Sequence, residues 1–91
     1  MPPHYQLKIV TPQGVQYQGE VTHTLIPAED GFVGVLANHA PYITSSLGGR
    51  LEVREKDGLE KKFVVGTGFF EVTNNQATFL TQSFNAEKNS A

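Results

Sequence analysis

Hydrophobic and polar residues alternate along most of this chain with the period of two that is typical of β-strands. The run 5–10 alternates from Tyr5 onward, and the alternation resumes over residues 15–26. Further candidate strands cover residues 50–54, 59–65, 69–72 and 77–80. Nothing keeps a helical period over two turns, so the pattern predicts about eight short strands and no helix.

Turn residues separate these runs. Asp57-Gly58 lies between two alternating segments and predicts a β-hairpin in which both turn residues take positive φ. Asn74-Asn75 predicts a second hairpin. Turn signals recur roughly every 8–12 residues, which indicates an antiparallel sandwich or barrel. The polar residues 85–91 follow the last candidate strand, and we expect them to form a short disordered tail.

Residues 31–44 (Gly-Phe-Val-Gly-Val-Leu-Ala-Asn-His-Ala-Pro-Tyr-Ile-Thr) show neither period. Apolar residues grouped without strand or helix period indicate an irregular segment that binds another molecule. We expect that molecule to be a protein. We expect His39 and Tyr42, in preference to Val35 or Ile43, to be the surface contacts of this segment.

Composition excludes several classes of protein. The chain has 91 residues, no cysteine and a formal net charge of −2, which excludes disulfides and thiolate metal sites and argues against nucleic-acid binding. No apolar run approaches the roughly 18 residues that span a bilayer, and the first residues do not resemble a signal peptide. We therefore expect one soluble, intracellular domain.

The candidate chemical motifs favour structural interpretations. Adjacent Glu29 and Asp30 point apart on an extended chain, so they indicate an exposed turn that could contact a partner rather than an acid–base pair. The histidines share no metal-ligand spacing, and His39 is as well explained by a hydrogen bond within its own loop as by an interface. We expect no catalytic residue, metal or cofactor.

Several motifs, taken in order, resemble one family. The first is Thr11-Pro12, followed by Val15, Tyr17 and Gly19-Glu20-Val21. The run Gly-x-x-Gly-x-Leu-x-x-His-Ala-Pro-x-x-Thr over residues 31–44 is the most specific, and Gly49, Gly68-Phe69, Glu71-Val72 and Phe79-Leu80 complete the set. Together they resemble the N-terminal β-sandwich domain of the epsilon subunit of F-type ATP synthases, over residues 5–83.

The resemblance implies an all-β fold, a flattened antiparallel sandwich of about 8–10 short strands over residues 1–84. It also implies a non-catalytic subunit of the central rotor stalk, with no cofactor. This subunit attaches the gamma subunit to the ring of c subunits, so that proton- or ion-driven rotation is coupled to ATP synthesis. The implied gamma interface is Thr11, His39, Tyr42 and Thr44, and the implied c-ring interface is Glu29, Asp30, Gly31 and Phe32.

Partners and location follow from the same resemblance. We expect a monomer in isolation and one copy per complex, with no nucleic acid and no direct lipid insertion. The expected location is peripheral, on the cytoplasmic face of the bacterial inner membrane, with a thylakoid or other coupling membrane as the alternative.

The chain departs from the family pattern in several respects, one of which is that Gly66-Thr67-Gly68 replaces a more usual Gly-Gly pair. Phe32 stands where the family commonly has an acidic residue, so the ring contact is expected to be apolar here. Ala37-Asn38 replaces Pro-Gly, and asparagine can take the positive φ of glycine. Most members continue into a helical hairpin that can restrain ATP hydrolysis and in some bacteria binds ATP, and neither property is carried over to these 91 residues.

Two other classes of function remain as alternatives. A stand-alone sandwich that binds carbohydrate or peptide would need an exposed aromatic platform, for which Tyr5, Tyr17 and Tyr42 are the available tyrosines. A small hydrolase would need a nucleophile–base pair, which the sequence does not suggest.

Overall fold

The computed structural model describes residues 3–87, which form nine β-strands. In chain order these are β1 (Tyr5–Thr11), β2 (Gly14–Ala28), β3 (Gly31–Leu36), β4 (Tyr42–Ser46), β5 (Gly49–Glu55), β6 (Glu60–Val65), β7 (Gly68–Thr73), β8 (Gln76–Thr81) and β9 (Phe84–Ala86). The described residues contain no helix, so the predicted all-β class is confirmed.

One continuous sheet folds over to make two layers because β2 is long enough to belong to both. The first half of β2 pairs with β1, and its second half pairs with β3 and β5. The first layer is therefore β4-β7-β8-β1-β2, and the second layer is β3-β2-β5-β6-β9. The pairing is antiparallel throughout except between β1 and β8, which run parallel, so the sheet is mostly rather than wholly antiparallel.

The core lies between the two layers and is filled by alternate residues of the strands. In β1 the inward residues Tyr5, Leu7 and Ile9 are buried, as the alternation predicted. Both layers contribute to one cluster of buried side chains, with Phe70 and Phe79 from the first layer and Leu51 and Val53 from the second.

The two predicted hairpins are present, but their turns differ. Asn74 and Asn75 have φ of 50° and 59° and join β7 to β8 directly. At Asp57-Gly58 only Gly58 has positive φ, at 92°, so the two-residue turn predicted there is wrong. Instead four residues, 56–59, connect β5 to β6, and Leu59 N donates to Asp57 Oδ1 at 3.1 Å.

The segment that showed no strand period contains two strands, β3 and β4. Period two is hidden in β3 because apolar residues occupy both of its faces: Val35 is buried, whereas Phe32 and Leu36 are 60% and 61% exposed. Asn38, in the loop between these strands, has φ of 65°, which confirms that asparagine takes the place of glycine there.

The chain stays ordered beyond the predicted end of the domain. Phe84–Ala86 form β9 on the edge of β6, and Glu87 accepts hydrogen bonds from Arg50 at 3.0 and 3.1 Å. The prediction that the disordered tail begins at residue 85 is therefore wrong for residues 85–87. The rest of that prediction, for residues 88–91, lies outside the described residues.

Candidate protein-docking site

The outer face of the first layer carries a row of apolar side chains. Three apolar doublets, Ile9-Val10, Phe69-Phe70 and Phe79-Leu80, each place one residue in the core and the other outside. The register pairs Val10 with Leu80 and Leu80 with Phe69, so the three outward residues lie side by side. Phe69 and Leu80 are 57% and 50% exposed.

Residues on the neighbouring strands flank this row. Val15 is paired with Val10, and Ser45 is paired with Phe69. Leu47, just after β4, is 77% exposed and lines a shallow depression together with Val10, Phe69 and Leu80. We call Val10, Val15, Leu47, Phe69 and Leu80 the apolar row. A contiguous exposed group of this kind is typical of a protein-binding surface.

The implied c-ring residues lie together at the tip of the β2–β3 hairpin. Glu29 and Asp30 form its turn, and Gly31 follows with φ of 125°. Glu29 Oε2 accepts a hydrogen bond of 2.9 Å from Ser45 Oγ on β4, so this carboxylate is held against the first layer. Asp30 and Phe32 are both exposed, which presents one acidic and one aromatic side chain at the tip.

Thr11 closes the β1–β2 turn and is buried. Its hydroxyl donates to Gln13 Oε1 at 3.1 Å and accepts from Gln13 N and Gln16 Nε2 at 3.2 and 3.1 Å. The side chain still lines the depression beside Leu47 and Phe69. Its contribution to a docking surface is therefore to shape the turn at the end of the apolar row.

His39 lies half-buried in the loop between β3 and β4. Its Nδ1 is 2.7 Å from Ala40 O, and because a carbonyl can only accept, Nδ1 carries the proton and donates. A hydrogen bond within its own loop was one of the two explanations that the sequence offered for His39, and this is such a bond. It leaves Nε2 available to a partner. The ring also packs against Tyr42, with centroids 5.7 Å apart.

Exposure along β4 is the reverse of what the sequence suggested for Tyr42 and Ile43. Tyr42 packs against the core, whereas Ile43 is 67% exposed on the outer face. Ile43 is therefore the more exposed of the two, contrary to the expectation from the sequence. Val35 is buried, as expected. Thr44 is half-buried, and its Oγ1 donates to Ser45 O at 3.1 Å.

The structure spreads the implied gamma-facing residues across the first layer rather than bringing them into one cluster. Tyr42 and Thr44 are on β4, and His39 precedes that strand, whereas Thr11 is on β1, three strands away, at the end of the layer where β4 finishes. Five residues of strand span about 13 Å between their outer Cα atoms, so Thr11 and His39 mark opposite ends of the layer. Such spacing suits an extended protein contact and not a catalytic centre.

Reasoning from single residues missed most of the apolar row. Phe69 and Leu80 contributed to the family resemblance but were not assigned to an interface, and Val10 and Leu47 were not singled out. The apolar doublets were the available signal, because two successive apolar residues in a strand cannot both face the core. Which doublets become neighbours depends on strand pairing, which the sequence does not show.

The ionisable side chains of the described residues include two tyrosines with raised pKa values. No group of three or more His, Asp or Glu side chains there is arranged to hold a metal ion. Burial raises the pKa of Tyr5 to about 12, and burial together with the nearby Glu55 carboxylate also raises the pKa of Tyr17. Both shifts keep a tyrosine neutral, which is the opposite of what nucleophilic catalysis needs.

The tyrosines do not supply the exposed platform that a carbohydrate-binding module would need. Tyr5 is buried, with its hydroxyl 2.7 Å from Thr24 Oγ1 and donating to Val35 O at 2.9 Å. Tyr17 packs on Phe63 at a centroid distance of 5.1 Å, and Tyr42 packs against the core. The exposed aromatic side chains of the docking surface are instead Phe32 and Phe69.

Comparison with protein families matches residues 4–87 to the model described as the beta-sandwich domain of the ATP synthase delta/epsilon chain. The ATP synthase epsilon chain of Chlorobium limicola is 37% identical over 78 residues, and the match covers 86% of this chain and 89% of that one. The ATP synthase epsilon chain of Nitratiruptor sp. is 38% identical over 77 residues, but there the match spans 60% of the relative's length.

Solved structures share the fold. A chain in the cryo-EM structure of the Euglena gracilis mitochondrial ATP synthase, which includes OSCP, F1 and the c-ring, superposes with a TM-score of 0.86 at 24% identity. That match covers 94% of this chain and 55% of the other. A chain in the Tetrahymena thermophila mitochondrial ATP synthase central stalk and c-ring structure gives a TM-score of 0.75 at 12% identity, covering 92% of this chain and 67% of the other. Residues 3–87 include no helix able to cross a bilayer.

Proposed function

This chain belongs to the family of ATP synthase delta/epsilon β-sandwich domains, and from that premise we propose that it is a central-stalk subunit of an F-type ATP synthase. In this role it attaches a gamma subunit to the ring of c subunits, so that ion-driven rotation of the ring reaches the catalytic head. The chain itself performs no catalysis and needs no cofactor. It works on the cytoplasmic face of a bacterial inner membrane, or on the equivalent face of another coupling membrane.

The apolar row is the observation that supports the gamma contact. Exposed Leu47, Phe69 and Leu80 would cost free energy in water, and a permanent partner removes that cost. Interfaces that persist are more apolar than transient ones, and aromatic residues are enriched at their centres. In this arrangement Thr11 and Thr44 shape the edges of the surface, whereas His39 offers Nε2 as a polar contact and Tyr42 supports its ring.

The β2–β3 hairpin tip supplies the contact with the c-ring. Ser45 holds Glu29, so the hairpin leans on β4 and its tip is fixed relative to the gamma-facing layer. Gly31 allows the tight turn through its φ of 125°, and Asp30 and Phe32 are left exposed. The hydrogen bond joins the ring-facing hairpin to the gamma-facing layer, and the shared strand β2 carries most of the mechanical connection between them.

Rigidity also suits a coupling role. The two layers share one sheet through β2, so a force on one layer is carried to the other by main-chain hydrogen bonds and not by a flexible linker. Tyr5 adds a link between the layers, because it extends from β1 to Thr24 on β2 and Val35 on β3. The two layers enclose one cluster of buried side chains, and packed protein interiors transmit strain.

Binding to the gamma subunit of the source organism tests the proposal. Purified wild-type chain is expected to bind that gamma subunit, and Leu80→Ser is expected to weaken binding by at least tenfold, because an apolar contact at the centre of the row is lost. Val64→Ser is the matched control, since Val64 is 43% exposed on the outer face of the second layer. Equal affinity of all three proteins would contradict the gamma assignment.

A second test uses the whole complex. Affinity purification of the tagged chain from detergent-solubilised native membranes should recover gamma and c subunits, identified by mass spectrometry. Recovery of the chain without either subunit would refute the central-stalk role.

A further inference from the structure

Two charged residues on the outer face of the first layer have no ion-pair partner among the described residues. They are Lys8 on β1 and Glu71 on β7, and both are exposed. Most of the other described cations do pair with carboxylates: Arg50 with Glu87, Arg54 with Glu60, Lys56 with Glu20, and Lys61 with Glu55. Lys8 and Glu71 therefore lie, without such a partner, on the face that carries the apolar row.

The register places these two charges in one cross-strand row. Lys8 pairs with Thr78 of β8, and Thr78 pairs with Glu71. Lys8 and Glu71 therefore flank Thr78, on the same face as Val10, Leu80 and Phe69 and two residues farther along the strands. Two strand spacings of about 4.8 Å separate their Cα atoms by about 10 Å.

We propose that the polar row, Lys8, Thr78 and Glu71, sets the orientation of the docked gamma subunit. Gamma then places an acidic group opposite Lys8 and a basic group opposite Glu71. Apolar burial is non-directional, so the apolar row alone would accept a partner in several rotations. Opposite charges fix one of them, because a half-turn of the partner would bring like charges together. The inference rests on the proposed function, since gamma is the partner.

A second copy of this chain is the competing occupant. Because Lys8 and Glu71 lie on either side of Thr78, two copies packed face to face about an axis along β8 would pair Lys8 of one with Glu71 of the other. The same packing would bring the two Leu80 side chains together. The test must therefore separate binding of gamma from self-association.

Zero-length cross-linking gives a direct measurement of the proposed contacts. A carbodiimide joins an amine to a carboxylate only when the two are in contact, so the complex with the purified gamma subunit should yield a link from Lys8 to a gamma carboxylate. A second link should join Glu71 to a gamma lysine. Lys62 is the internal control, because it is an exposed lysine on the outer face of the second layer with no ion pair among the described residues.

Affinity measurements with matched variants complete the test. Lys8→Gln and Glu71→Gln are each expected to weaken gamma binding on the order of tenfold and to reduce its salt dependence, as for charges that become desolvated in an interface. Lys62→Gln should change affinity less than twofold, because exposed charges contribute little. All three substitutions keep a long polar side chain on the strand, so folding is expected to be preserved.

The outcomes distinguish the two levels of the proposal. Absence of any complex with wild-type chain would refute both the inference and the central-stalk role. The inference would be refuted, and the central-stalk role left intact, by two results together. Lys8→Gln and Glu71→Gln would bind gamma with wild-type affinity, and the wild-type complex would show neither of the expected cross-links. A dimer of the chain alone, seen by sedimentation velocity and dissociated by Lys8→Gln, would assign the polar row to self-association and refute its role in orienting gamma.

Discussion

Asn38 and Asn75 hydrogen-bond to each other across the fold although they are 37 positions apart in the chain. Asn38 N donates to Asn75 Oδ1 at 2.6 Å, and Asn75 Nδ2 donates to Asn38 Oδ1 at 3.0 Å. Both residues have positive φ, 65° and 59°. The pair fastens the β3–β4 loop to the β7–β8 turn, so it fixes the position of the neighbouring His39.

Because Asn38 has positive φ, we expect its glycine variant to be more stable than its alanine variant, which is the reverse of the usual order in a strand. Asn38→Gly removes the side-chain acceptor but tolerates positive φ, whereas Asn38→Ala adds a steric penalty of about 1 kcal/mol. Urea unfolding should therefore find Asn38→Ala less stable than Asn38→Gly. Asn85, an exposed residue of β9, is the control, and there we expect the usual order, with glycine the less stable. The same order at both positions would contradict this account.

Tyr5 predicts a loss of stability at high pH. Its folded pKa of about 12 lies above the ordinary value of 10.0, so the folded state holds the proton while the unfolded state releases it. The stabilisation is complete below pH 10 and is lost as the pH rises from 10 to 12, at about 1.4 kcal/mol per pH unit. Tyr5→Phe should flatten this slope, although Tyr17 will retain part of it.

Stability against pH, measured by denaturant unfolding between pH 8 and about pH 11.5, checks the slope. At neutral pH the same variant should be less stable by roughly 1–3 kcal/mol, because the Val35 carbonyl and the Thr24 hydroxyl lose a buried partner. Parallel pH curves for wild type and Tyr5→Phe would show that Tyr5 does not carry the effect.

Gly68 is required by a close approach of two backbones. A Cβ atom there would lie 1.8 Å from Leu80 O, so any side chain must push β7 away from β8. Gly68→Ala is expected to destabilise the protein by roughly 2–4 kcal/mol in thermal or urea unfolding. Gly34→Ala is the control, because its Cβ would meet only the end of the His23 side chain at 3.2 Å. Similar losses for the two variants would exclude the backbone clash as the cause.

Phe32 and Leu36 give a matched test of the proposed ring contact. They lie on the same face of β3 with exposures of 60% and 61%, but only Phe32 is at the hairpin tip. Phe32→Ser should lower ion-driven ATP synthesis by inverted membrane vesicles severalfold and leave gamma binding unchanged. Leu36→Ser should affect neither. Full ATP synthesis with Phe32→Ser would remove Phe32 from the ring contact.

His39 predicts a smaller effect on gamma binding. His39→Ala removes the Nε2 atom that would bond to gamma and the ring that packs on Tyr42. We therefore expect the affinity for gamma to fall severalfold, as for the loss of a hydrogen bond of about 1 kcal/mol. His23→Ala is the control, because His23 lies on the second layer opposite Arg54. Equal affinity of the two variants would favour the purely local role of the His39–Ala40 hydrogen bond.

The strands were predictable wherever one face is buried and the other is polar. β1, β6 and β8 follow the alternation closely, because most of their inward residues are apolar and most of their outward residues are polar. β3 was hidden because Phe32 and Leu36 are apolar on the outer face. β9 was missed because three residues are too few to show a period, and pairing with β6 orders them.

The candidate site was predictable only in part. The exposed acidic tip at Glu29 and Asp30 followed from an acidic pair before a glycine, because adjacent carboxylates require solvent and glycine allows the turn. The surface roles expected of Tyr42 and Ile43 were reversed, because residues next to each other in a strand face opposite sides and the sequence did not show which side of β4 meets the core.

The sequence by itself determined the all-β class, most strand positions and the Asn74-Asn75 turn, since these depend on side-chain alternation and on local backbone preferences. Tertiary structure decided which apolar residues lie next to one another. The parallel pairing of β1 with β8 joins residues about 70 positions apart, and it aligns Val10 with Leu80 and Lys8 with Thr78. Strand register is a long-range property, so the docking face exists only once the sheet has folded.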